Sequence, residues 1–199
     1  MTCAPRVVAG VGNRLRGDDA AGPAIAELVR LRAPRQTEVV TLESDTTSLV
    51  EIVERARLVI VADAAAGGGD PGTIHRFEAP GGPVVAVPAA GGSTHGLGPG
   101  EAIELARALG RLRARVVIYA ITGGSFTTGA GLSDAVARAV PRAAVAILRE
   151  LAASDGTHPS DIRSSPRYTR AAHDSGSAAK WRCMASPSSA SSSAAMIID

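Results

Sequence analysis

Short runs of β-branched residues alternate with longer stretches of helical period along most of this chain, and that alternation constrains the fold more than any other feature. Strands that read as continuous apolar runs are strands covered on both faces, so the pattern predicts an α/β fold, a three-layer αβα domain around a twisted, mostly parallel sheet. RVVAGV at 6–11 is the first strand. Residues 20–31 follow with Ile25, Leu28 and Val29 near helical spacing, and Asp18 or Asp19 stands ahead of them as a candidate N-cap. A strand at 38–42, a short helix at 48–55 and the strand LVIVA at 58–62 complete two strand-helix-strand units. The Gly-rich AAAGGGDPG then turns the chain into 73–77, short enough for an antiparallel edge strand, and the Gly- and Pro-rich stretch at 79–100 reads as loop. A helix at 101–109, a strand at 115–120 and a closing helix at 133–151 bring the sheet to five strands.

The folded domain is expected to span residues 1–153. From 154 to 199 the composition shifts to Ser, Ala and Pro without periodicity and ends in SPSSASSSAAMIID, so this tail is expected to be disordered. With 45% apolar residues, a chain of 199 residues can bury a core without disulfide staples. Cys3 and Cys183 lie near opposite ends and form neither a metal-ligand pair nor a disulfide framework, which favours a reducing compartment. No run approaches the roughly 20 apolar residues of a membrane span, and the N-terminus lacks a basic region followed by a long apolar one. A cytoplasmic protein is therefore expected. Net charge is only +2, with basic residues scattered among acids, and aromatics at 3% are too few to form a base-stacking surface. Neither nucleic acid nor membrane is an expected partner, and the sequence does not fix the oligomeric state.

In an open parallel sheet, ligands bind beyond the carboxyl ends of the strands, where strand order reverses. In this chain that rule selects the turn GVGNRLRGDDAAG, the Glu43-Ser44-Asp45 end of the second strand, Asp63 after the third, and Ser93-Thr94-His95-Gly96 in the long loop. Singly, each has an ordinary structural explanation: Asp19 as a helix cap, Asp63 as a strand-end turn residue, His95 as a surface loop residue. Brought together, two carboxylates repel unless a cation or a shared proton compensates them. A divalent metal is the natural compensator, and two oxygens with one imidazole suit nickel, zinc, manganese or iron, leaving positions open for substrate or water.

Competing chemistries fit less well. Gly10-x-Gly12 begins like a dinucleotide fingerprint, but Leu15 stands where the third glycine belongs, and Asp18 and Asp19 would repel a pyrophosphate. GGSTH at 91–95 and GGSFT at 123–127 begin like a nucleophile elbow without its closing glycine. The chain has no HExxH, P-loop or CxxC motif.

With these residues in view, the chain resembles a known family, the hydrogenase maturation proteases, endopeptidases that trim the C-terminal extension of nickel-iron hydrogenase large subunits. Gly10-Val11-Gly12-Asn13 with Asp18-Asp19 and Gly22 is similar to the family's G-x-G-N, D-[DE], G signature. Ala62-Asp63-Ala64 with Pro71-Gly72-Thr73 resembles its second block, and Ser93-Thr94-His95 with Leu97, Glu101 and Ala102 its third. Gly131-Leu132-Ser133, leading into the last helix, extends the resemblance over about 6–151 and leaves the tail outside it.

The resemblance implies a peptidase in which Asp19, Asp63 and His95 act as the catalytic, nickel-contacting set, the same side chains the sheet rule selects. It also implies that the nickel arrives inside the large-subunit precursor, which is the expected partner, and serves to recognise and position the cleavage site. Attack by a metal-oriented water, or on a metal-polarised carbonyl, is the hypothesis for cleavage, because no serine or cysteine nucleophile with a base is evident. The family's D-x-G-T step after the second strand reads Glu43-Ser44-Asp45-Thr46 here, with Asp45 replacing the glycine, so Glu43 and Asp45 are the candidate substrate-specificity residues. The alternative from another class is a non-catalytic metal- or nucleotide-binding maturation chaperone on the same fold.

Overall fold

In the computed structural model, described over residues 5–43, 47–67, 69–79, 98–154 and 196–197, strands and helices alternate as the apolar pattern predicts. β1 (Arg6–Val11) leads through a 3-10 turn (Gly17–Ala20) into α1 (Ala21–Arg30), followed by β2 (Thr37–Leu42), α2 (Ser48–Arg55) and β3 (Leu58–Ala66). β4 (Ile74–Ala79), α3 (Pro99–Ala108), β5 (Arg115–Gly123) and α4 (Asp134–Ala153) complete the α/β unit. The five strands lie in the order β2-β1-β3-β5-β4, with β4 antiparallel to β5 and the other pairs parallel. A two-residue strand, β6 (Met196–Ile197), adds antiparallel to the outer edge of β4, a pairing that the tail's composition gave no reason to expect. The remainder of the tail lies outside the described residues. Among the described residues no helix is long and apolar enough to cross a membrane.

Side-chain alternation builds one apolar layer on each face. Val7, Val59, Val61, Val116 and Ile118 pack under α2 and α3, while Val8, Ile60, Val117 and Ile121 pack under α1 and α4. β3 is buried along nearly its whole length, as a central strand covered twice must be. It runs to Ala66, past the expected end at Ala62. Asp63 is therefore a residue within a strand, paired across to Ala120, rather than a turn residue beyond one.

The direction of β4 follows from connection length. Only residues 67–73 separate it from β3, too few for the crossover a parallel neighbour requires, so the chain must turn at the carboxyl rim and run back. A charged lattice holds this edge strand in place. The Arg76 guanidinium donates to both oxygens of Glu150 on α4 (2.9 and 2.9 Å) and to Glu78 (2.9 Å). Arg115 donates to Glu78 (2.7 Å) and to Glu150 (2.8 Å). These bonds hold Glu78 and Glu150 below the usual carboxylate range against the opposing effect of burial. Paired charges this regular fix strand, strand and helix relative to one another.

Candidate functional site

β1 connects through α1 to β2 on one side, whereas β3 lies on the other, so the carboxyl rim between β1 and β3 is where strand order reverses. Two glycines let α1 begin directly on that rim. A Cβ on Gly10 would lie 2.3 Å from the Gly22 carbonyl oxygen, and one on Gly22 would lie 2.1 Å from the Val11 oxygen and 2.5 Å from the Ala62 oxygen. Helix backbone thus rests on the backbone of both strands, and any side chain at either position would lift it away. Gly12 makes the next close approach, at φ 131 with only 2.0 Å between a would-be Cβ and the Asp19 oxygen. The signature glycines are therefore what seats the Gly17–Ala20 turn, with Asp18 and Asp19, beside Asp63.

Neither of those aspartates caps α1. Its N-cap is Ala20, which makes no side-chain bond, so the expected capping role is replaced by longer-range contacts. Asp18 is fully buried and reaches across to the loop that follows β5. Its Oδ2 accepts N–H bonds from Gly124 (2.7 Å) and Ser125 (2.9 Å) and the Ser133 hydroxyl (2.9 Å), while Oδ1 accepts the Ser133 N–H (2.6 Å). Burial alone would raise its pKa, but these four donors outweigh that and hold it below the ordinary aspartate value. Sequence reasoning missed this role. The one signal for it was Ser133 before the last helix, which is the N-cap of α4 yet spends its side chain on Asp18.

Asp19 and Asp63 are in the opposite condition. Asp19 accepts one N–H bond, from Asn13 to Oδ2 (3.0 Å). Burial pushes its pKa up, and neither that bond nor the Arg16 charge cancels the effect. Asp63 is 5% exposed, and its Oδ1 accepts the N–H of Ala64 (2.8 Å). Burial, only partly offset by the Ala64 N–H and reinforced by the negative charge of Asp19, pushes its pKa up to about 8. The two acids therefore feel each other. Among the described residues no ion pair relieves Asp63. Either a retained proton or a cation offsets such a repulsion.

Alternation within β3 turns Asp63 to the α2–α3 face, the face on which α3 begins. The C-terminal end of α3 lies beside that of α2, where Arg111 pairs with Glu54 (2.6 Å). A helix of 10 residues is about 15 Å long, so α3 starts at the opposite, carboxyl edge of the sheet. His95 precedes Gly98, the N-cap of α3, by three positions and lies outside the described residues, as does Asp45. Glu43 is exposed just beyond β2, where the Arg14 guanidinium approaches it at 3.2 Å. Among the described residues no three metal-ligating side chains form a cluster.

Residues 24–150 match the family model described as HycI, hydrogenase maturation protease. The match begins after Asp19 and contains Asp63 and His95. The chain is also similar to several solved structures, among them the following three. The hydrogenase maturating endopeptidase HybD from Escherichia coli is 22% identical over 75% of this chain and 93% of that one, with a TM-score of 0.63. The [NiFe] hydrogenase maturation protease HycI from Thermococcus kodakarensis is 23% identical over 75% and 93%, with a TM-score of 0.57. A hydrogenase 2 maturation peptidase from a Thaumarchaeota archaeon is 24% identical over 74% and 98%, with a TM-score of 0.56. No curated protein matches the chain.

Proposed function

Because the chain belongs to the hydrogenase maturation protease family, we propose that it is an endopeptidase that removes the C-terminal extension of a nickel-loaded hydrogenase large-subunit precursor, using that nickel to recognise and position the cleavage site. The observation that carries the reading is the pair Asp19 and Asp63, two neighbouring acids, the first half-buried and the second buried, each pushed by burial above the ordinary aspartate value. Such a pair is costly in an empty site and favourable around a divalent cation. Nickel is here part of the substrate rather than a resident cofactor.

In this reading Asp19, Asp63 and His95 contact the nickel carried by the precursor. Backbone N–H groups of Asn13 and Ala64 each fix one oxygen of the two carboxylates and leave the other for the ion. When bound, the cation supplies Lewis-acid polarisation to the cleavage site. The protein's own part is positional. Gly10, Gly12 and Gly22 set the distance between the Asp19 turn and β3, and Asp18 ties the loop after β5 to the same turn. Nickel capture by Asp63 requires its ionised form, so at neutral pH binding expels a proton.

The test is incubation of the purified protein with nickel-loaded and nickel-free precursor, followed by mass spectrometry for the released C-terminal peptide. Release from the loaded form only is expected, and H95A or D63A should abolish it. No release from loaded precursor would leave a non-catalytic chaperone as the better reading. Equal release from both forms would remove nickel from recognition.

A further inference from the structure

Beside the carboxylates, the turn that follows β1 presents a large apolar side chain to solvent: Leu15 is 71% exposed. A single exposed leucine is ordinary on a protein surface, and Leu31, 77% exposed at the end of α1, is an example. Leu15 differs in how it is held and in what holds it. Its N–H donates to the side-chain oxygen of Asn13 (2.8 Å), its carbonyl accepts the Gly129 N–H (2.7 Å), and the Arg16 N–H closes the turn onto the Asn13 carbonyl (3.1 Å). Asn13 in turn donates its own N–H to Asp19. Two hydrogen bonds therefore separate the Leu15 amide from a site carboxylate.

Glycines close the turn at both ends. Gly12 at φ 131 and Gly17 at φ 55 adopt conformations that disfavour other residues, and a Cβ on Gly17 would lie 2.5 Å from the Ser125 oxygen. Preceding Leu15, Arg14 is engaged with Glu27 and Glu43, so its charge is matched within the chain. What remains is an apolar side chain on a backbone that needs no further ordering. Preorganised anchors of this kind gain affinity because little freedom is lost on binding.

We propose that Leu15 is a substrate-docking residue, packing against an apolar segment of the precursor polypeptide and holding it beside Asp19 and Asp63. The inference rests on the endopeptidase reading above. Its role is to bind substrate, not to touch the reacting atoms.

The test is steady-state cleavage of nickel-loaded precursor by wild type, L15A, L15D, L15M and L31D, with thermal melts of each. L15A should raise KM about ten-fold and L15D further, with kcat within about two-fold, the signature of lost uniform binding. L15M, of similar volume, should restore a near-wild-type KM, and L31D should leave it unchanged. Melts should match wild type, because the side chain is exposed. An L15D variant with the wild-type KM overturns the docking role while wild-type cleavage keeps the endopeptidase reading. A loss that tracks a lowered melt assigns Leu15 to stability and also overturns it. Failure of wild type to release any peptide overturns the endopeptidase reading, and the docking role with it.

Discussion

Asp18 and Asp63 are both buried acids at the same rim of the sheet, 0% and 5% exposed, and their surroundings shift their pKa values in opposite directions. Asp18 meets four donors and stays below the ordinary aspartate pKa. Asp63 meets one backbone N–H and a second acid, and rises to about 8. Burial is common to both. What separates a structural acid from a poised one is the supply of donors, because burial without hydrogen bonds leaves the charge for something else to stabilise.

The sharpest way to break this comparison is to remove each carboxylate in turn. D63N should lower cleavage by at least about a hundred-fold, since even partners that only orient a metal ligand are worth up to that much. Its melt should not fall, because an amide replaces a buried acid that has no countercharge. A melt lowered by many degrees would make Asp63 a second Asp18. D18N should do the reverse, costing about 3 kcal/mol of stability, because its amide group turns N–H donors toward the N–H groups of Gly124 or Ser133. Denaturant unfolding measures the loss, and unchanged stability would show that the four bonds contribute nothing net.

The two acids also predict opposite pH dependence. Asp18, depressed when folded, contributes stability that is present above the ordinary aspartate pKa of 3.8 and is lost as pH falls through its lower folded value. Asp63 keeps its proton when folded from 3.8 up to about 8, a range in which the unfolded chain has lost it, so its contribution declines as pH rises through that window. Between pH 6 and 7 in metal-free buffer, wild type should therefore lose about 1.4 kcal/mol relative to D63N. A constant difference between the two proteins would contradict the raised pKa. The smallest effect expected is that of S133A, which removes one of the four bonds to Asp18 and should cost about 1 kcal/mol.

The fold was legible because it rests on local periodicity. Continuous apolar strands and amphipathic helices give their identity within a few residues, and the 67–73 connection gives the direction of β4. β3 ran past its expected end because Ala64, Ala65 and Ala66 carry no β-branched signal, although neighbouring β5 supplies the pairing. β6 had no local signal at all. At the site, the nearness of Asp19 to Asp63 was legible from strand order, although Asp63 lies inside its strand and not beyond it, and the glycines were legible from their motif. Asp18 was not, since the groups that define it, Gly124, Ser125 and Ser133, lie more than 100 residues along the chain. A non-local hydrogen-bond set leaves no trace in spacing. His95 and Asp45 lie outside the described residues.

The contact of Gly10 with Gly22 has a mechanical consequence. In most helix-on-sheet packings a cushion of side chains absorbs small changes in sheet twist before they reach the helix. Here main chain bears on main chain at the start of α1, with nothing compressible between. A substitution that alters the coiling of β1 against β3, even at their amino ends, is then transmitted undamped to the turn bearing Asp19. The gap between the two acids becomes a gauge of the whole sheet's geometry.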